Sequence, residues 1–163
     1  MKVVEGTATV EDVDAFVDAL AAIGEEHGAV VQAFDARYIA GRNHLQAAAR
    51  AARRARGHDD AIADDPAVEL LLYAAGRRQI DRALEIGIQS GESPVLVAID
   101  GGGEDAAAAA VADRLEPADT LVEARDEAAI RRYYDISDAE LRATDASLEE
   151  LVIERVALLA VEK

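Results

Sequence analysis

The sequence predicts an α+β fold: one compact domain spanning residues 1–163, with a small mixed or antiparallel sheet surrounded by several helices. Three observations lead there. Segments with apolar residues three and four apart outnumber segments that alternate. One continuous apolar run, Pro94 to Ile99, has the length of a strand covered on both faces. No repeat or low-complexity linker divides a chain of this length, which at 51% hydrophobic content can bury one sizeable core.

Residues 1 to 9 alternate Val3, Glu5, Thr7 and Thr9 against Val4, Gly6 and Ala8, and read as a strand. Thr9 is the expected cap of a first helix, which carries Val13, Phe16, Val17, Leu20 and Ile23 on one side and stops at Gly28. Ala29 to Phe34 reads as a second strand and Ala40-Gly41 as loop. Asn43, with Gln46 three residues on, opens a helix rich in Ala and Arg that ends at Gly57. Asp65-Pro66 is an N-cap followed by proline at the first helical position, and that helix closes at Gly76. Another helix carries Ile80, Leu84 and Ile86.

After the central strand, Gly101-Gly102-Gly103 turns the chain into an Ala-rich helix from Glu104 to Leu115, and Pro117 blocks its continuation. Thr120 to Glu123 reads as a short strand and Asp126 to Tyr134 as a helix. Ser137 with Glu140 and Ser147 with Glu150 are capping boxes, each announcing a helix. The second helix places Leu148, Leu151, Val152 and Val156 on one face, and Leu159-Ala160-Val161 is expected to end the chain as a strand.

The formal net charge is -16, from 33 acidic and 17 basic residues. Only Lys2 and Lys163 are lysine. This acid-rich, lysine-poor surface suits a high-salt cytosol of the halophilic archaeal kind, where a Debye length of about 3 Å at 1 M salt confines electrostatics to contact range. Net charge then says little about local binding to phosphate. Without cysteine the chain makes no disulfide framework and no thiolate metal site, which points to a cytoplasmic protein. No export signal is visible and no apolar run approaches the ~20 residues of a bilayer span, so no membrane partner is expected.

No constellation of nucleophile, acid and base marks an enzyme. His27, His44 and His58 fall at a helix end, a helix start and a loop, which predicts three partly exposed histidines and no metal site. Gly101-Gly102-Gly103-Glu104-Asp105-Ala106 matches a dinucleotide-binding turn, with Glu123 some way on. Glu104 and Asp105 would place two carboxylates where a pyrophosphate should rest, so no cofactor is expected. A nucleotide-binding enzyme built on this turn is the least favoured reading.

The sharpest anomaly is the stretch from Arg37 to His58, which holds Arg37, Arg42, Arg50, Arg53, Arg54 and Arg56 and no acid. Helical spacing puts Arg50, Arg53 and Arg54 on one face, with Leu45, Ala48, Ala52 and Ala55 turned to the core. Arg77, Arg78 and Arg82 form a second basic group. Guanidinium groups suit phosphate forks and base stacking, and with Tyr38 and Tyr73 the nearest aromatics, Arg planes would carry any stacking. The alternative is a set of surface salt bridges worth ~0.2–1 kcal/mol each.

The segment Leu70 to Ile86 contains Ala74-Ala75-Gly76-Arg77-Arg78-Gln79-Ile80-Asp81-Arg82-Ala83-Leu84 and resembles the A-x-G-x-R-Q-I-x-x-A-I element of the kinase-binding regulatory subunit of the KEOPS complex, the TPRKB-like family. Asn43-His44-Leu45-Gln46-Ala47-Ala48 is similar to the family's H-L-x-x-A element. Tyr134-Asp135-Ile136-Ser137 through Glu140-Leu141, then Ile153-Glu154-Arg155-Val156-Ala157-Leu158, resemble its closing elements. The resemblance implies a non-catalytic subunit that binds and supports a small kinase-like ATPase. It also implies contact with the single-stranded 3′ end of tRNA during threonylcarbamoyladenosine synthesis at position 37.

Carried onto this chain, the RNA-facing residues are Asn43, His44, Gly76, Arg77, Arg78, Gln79 and Ile80, joined by Arg42, Arg50, Arg53 and Arg54 of the basic stretch. The partner-facing residues are Val152, Ile153 and Val156. Ordinary core packing is the competing expectation for Ile80 and Ile153. The excess of carboxylates departs from an RNA-end binder and requires any phosphate contact to be local. A protein-interaction adaptor without RNA contact is the alternative function.

Overall fold

The computed structural model describes residues 1–162. Four strands, β1 (Lys2–Val10), β2 (Val30–Asp35), β3 (Gly91–Asp100) and β4 (Glu116–Pro117), form one antiparallel sheet in the order β2-β3-β1-β4. β3 lies between β1 and β2, and its run Val95 to Ile99 is fully enclosed. A strand covered on both faces has no solvent side on which to alternate, which is why it reads as continuously apolar.

The two faces of β3 feed two cores. Val95, Val97 and Ile99 pack with Leu20 and Ile23 of α1 (Val13–His27) and with Ala107 and Val111 of α5 (Glu104–Ala112). Leu96 and Ala98 belong to the larger core, built from α2 (Arg42–Gly57), α3 (Pro66–Ala75), α7 (Glu127–Tyr133) and α9 (Leu148–Glu162). Between them in sequence lie the short α4 (Ile80–Ala83), α6 (Thr120–Glu123) and α8 (Asp138–Ala143). The sheet is therefore sandwiched by helices, as the α+β reading expects.

Several local expectations are corrected. Thr9 does not cap α1, because it stays in β1 opposite Glu92; Asp12 caps instead, accepting from the Ala15 N–H at 3.1 Å. Thr120 to Glu123 is a helical turn, held by the Thr120 hydroxyl donating to the Val95 carbonyl at 2.8 Å, and the short edge strand falls at Glu116–Pro117. The helix from Glu104 ends at Ala112. The expected closing strand is helical: α9 runs on through Leu159-Ala160-Val161, because Val152, Val156 and Leu159 continue one buried stripe at helical spacing. Among the described residues no helix is long and apolar enough to cross a membrane.

Candidate functional site

The three segments that carry the motifs meet at one point. His44, in the first turn of α2, is completely buried. Its Nδ1 accepts from the Ala40 N–H at 3.1 Å, and a backbone amide can only donate, so the proton sits on Nε2. Nε2 donates to the Ala74 carbonyl near the end of α3, at 2.8 Å. The same carbonyl accepts from the Tyr134 hydroxyl at 2.9 Å, and the Tyr134 ring meets the imidazole edge to face. Burial lowers the His44 pKa to about 4 and raises that of Tyr134 well above its ordinary value, so both are neutral at physiological pH.

Arg155 of α9 closes the assembly from outside. It donates to the Tyr134 and Asp135 carbonyls at 3.1 and 3.0 Å and forms a two-point bridge with Glu140 at 2.7 and 2.8 Å. The guanidinium holds the Glu140 carboxyl below its usual range. Gly76 ends α3 with φ +64°, and a Cβ there would sit 3.4 Å from Arg155. Gly76, Arg77, Tyr134, Asp135, Arg155 and Leu158 line a small depression at this junction.

The start of α2 is capped from α9. Asn43 and Gln46 do not cap it; Glu149 accepts the His44 N–H at 3.1 Å, and helix α2 begins at Arg42. The carboxylate reaches that position only because Gly41 lacks a side chain, since a Cβ there would lie 2.1 Å from Glu149 Oε2.

The predicted site residues divide into three groups. Arg50, Arg53 and Arg54 are exposed on the outer face of α2, with Arg42 and Asn43 on the same side, while Leu45, Ala48, Ala52 and Ala55 are buried opposite them. Arg53 Nε lies 3.3 Å from Asp100, Arg42 donates to the Met1 carbonyl at 3.1 Å, and Arg37 is paired with Asp35 at 2.6 Å. Arg50 and Arg54 have no ion pair among the described residues. Arg78, Gln79 and Ile80 are exposed after Gly76. Arg77 is committed inward, donating to the Tyr133 carbonyl, with its guanidinium 5.0 Å from the centre of the Tyr133 ring and 3.8 Å from Asp135.

Two sequence assignments need correction. His44 cannot touch a ligand on the surface, because its ring is enclosed by α3 and Tyr134; it supports the site from within. Val152 and Val156 cannot form a partner surface, because both are buried in the larger core; Ile153 is partly exposed, and Leu158 and Val161 are the exposed large apolar residues of α9. Sequence reasoning also missed Glu69, buried in an apolar helix, where it accepts the Ile62 and Ala63 N–H groups and pins the loop before α3. An acid inside a helix that is apolar all round is the signal that could have found it.

The glycine turn is structural. Glu104 Oε2 accepts the Gly101 N–H at 2.7 Å, and its other oxygen pairs with the chain's amino terminus at 3.2 Å. A Cβ on Gly102, with φ +56°, would lie 2.1 Å from the Gly28 carbonyl oxygen. The carboxylate thus ties the turn to the start of β1.

A family model described as kinase binding protein CGI-121 matches residues 9–160, nearly the whole chain. No curated protein matches it.

Proposed function

Because the chain belongs to the CGI-121 family of kinase-binding proteins, we propose that it is the non-catalytic KEOPS subunit that binds and supports the complex's kinase-like ATPase in the cytoplasm and contacts the 3′ end of tRNA during threonylcarbamoyladenosine formation. The RNA-facing surface in this reading is the outer face of α2, with Arg42, Asn43, Arg50, Arg53 and Arg54, together with Gly76, Arg78, Gln79 and Ile80. His44 and Arg77 act as supports, His44 fixing the end of α3 before Gly76 against α2 and Arg77 fixing the chain after it against Tyr133. The kinase-facing surface is the outer side of α9 around Ile153.

One observation carries the RNA reading. In a chain with 33 acids, the outer face of a whole helix is free of them, and Arg50 and Arg54 have no ionic partner among the described residues. Unpaired guanidinium groups on one helical face are the arrangement phosphate contacts need. The adaptor reading without RNA draws support from Arg37, Arg53, Arg77 and Arg82, each of which lies near an acid.

A gel shift at matched salt, with tRNA intact and tRNA lacking its 3′-terminal nucleotides, separates them. The end-binding reading expects the truncated RNA to lose affinity and the double variant Arg50→Glu, Arg54→Glu to lose it for intact RNA. Equal retention of both RNAs removes the end-binding reading, and retention of neither leaves the adaptor. Co-purification with a small kinase-like protein, lost on Ile153→Glu in a folded variant, tests the partner surface.

A further inference from the structure

The two edges of the sheet are treated differently. β4 is two residues long and contains Pro117, a short edge that proline keeps from pairing further. β2 has neither device. Its residues Val30-Val31-Gln32-Ala33-Phe34 carry no charge and no proline, and they pair on one side only, with β3. Alternate residues of such a strand turn their N–H and C=O groups away from the sheet. Beyond β3, one contact to the backbone of Val30–Phe34 occurs among the described residues: the Gln32 side-chain amide donates to the Ala33 carbonyl at 2.8 Å.

Along that edge runs a groove of about 580 Å³. α1 forms one wall with Val13, Val17, Leu20 and Ala21, and Val68, Leu71, Ile80 and Leu84 form the other. Val17, Ile80 and Leu84 are 46%, 49% and 50% exposed, large apolar side chains left facing solvent on opposite walls of one channel. The charged groups lining it are both acidic, Glu25 and Asp65, and Asp14, Asp18 and Asp81 stand exposed on the same elements, where the exposed Arg82 is paired with Glu85.

We propose that this groove receives an extended segment of a partner polypeptide, which pairs with β2 as a fifth strand, places apolar side chains at alternate positions against the two walls, and carries Lys or Arg at its flanks. Strand addition supplies the backbone partners that the β2 edge lacks, and the walls on either face of the sheet accept the alternating side chains. The acidic rim selects the occupant: a basic segment gains contacts there, whereas a second copy of this chain would bring acid against acid. The surface is separate from the outer face of α2 and shares only Ile80 with the RNA-facing set, so its test uses Val17 and Leu84.

The experiment screens the full chain against an array of lysine-flanked synthetic peptides bearing Val, Ile, Leu or Phe at every second position, with backbone N-methylated copies as controls. Expected are binders whose N-methylated forms do not bind, slowed hydrogen exchange of β2 amides in the complex, and at least a tenfold affinity loss for Val17→Glu and Leu84→Glu. Both substitutions fall on half-exposed side chains, and exchange on the unmodified protein reads the same surface without any variant. The proposal is overturned if no member of the array binds, or if N-methylated peptides bind as well as their parents. It is also overturned if the free protein is a dimer whose β2 amides are already protected, which would make a second copy the occupant.

Discussion

His44 donates from Nε2 to the carbonyl of Ala74 at 2.8 Å, tying the first turn of α2 to the end of α3 through a ring with no exposed surface. Gly76 follows two residues later, and Tyr134 shares the same acceptor.

Burial of the ring makes stability pH-dependent, since it disfavours the charged imidazolium even though the bond to Ala74 acts the other way. His44 has a native pKa of about 4, while the unfolded chain's histidine titrates near its ordinary 6.5. Between those values the unfolded state binds the extra proton, so the native state loses stability as pH falls from 6.5 toward 4. The loss from this residue is about 2 kcal/mol at pH 5 relative to pH 7. Urea midpoints at the two pH values measure it, and His44→Gln should shrink the difference. An unchanged difference in that variant would assign the acid sensitivity to other groups.

Much of this was legible beforehand. The helical spacing that put Ala48, Ala52 and Ala55 on the buried stripe of α2 also puts His44 there, so its enclosure could have been read from position. Its partners could not, because they are backbone groups of Ala40 and Ala74. β3 was legible because double burial leaves a pattern in the sequence. Thr120 to Glu123 was not, since the hydroxyl contact to Val95 that settles the turn spans 25 positions. The basic face of α2 followed from periodicity alone, whereas the inward commitment of Arg77 depends on Tyr133, a tertiary neighbour.

Gly41 and Glu149 should behave as one unit. Gly41→Ala pushes the carboxylate off the start of α2, which costs about 1 kcal/mol, the usual worth of an N-cap. Glu149→Ala should cost a similar amount. The φ of Gly41 is extended and open to any residue, so in the Glu149→Ala background the alanine should cost close to nothing. Additive losses in a double-mutant cycle by chemical denaturation would show that the two do not act through the same contact.

Arg53 and Arg54 are neighbours with different surroundings. Asp100 is buried, with Oδ2 3.3 Å from Arg53 and Oδ1 lacking a hydrogen-bond partner among the described residues. Arg53→Glu sets two carboxylates together and should lower stability by about 1–2 kcal/mol, a figure kept small because the Arg53 side chain is half exposed. Arg54→Glu should change stability by less than about 0.5 kcal/mol. Thermal melts of the two variants compare them directly, and equal shifts would remove Asp100 as the reason.

On α9, adjacent residues should separate folding from binding. Val152 is wholly enclosed in the larger core, so Val152→Glu buries a carboxylate among apolar side chains and should prevent stable folding. Ile153 is partly exposed, so Ile153→Glu should keep the fold while placing charge on the surface proposed to meet the kinase-like partner. Circular dichroism and co-purification, run on both variants, read the two effects independently. A folded Ile153→Glu protein that still retains the partner would move the interface elsewhere on the molecule. The nearest alternative is the end of the same helix, where Leu158 and Val161 expose apolar side chains to solvent. Leu158→Glu distinguishes that placement, because it lies on the rim beside Gly76 and Arg155 and should disturb the partner without disturbing the core.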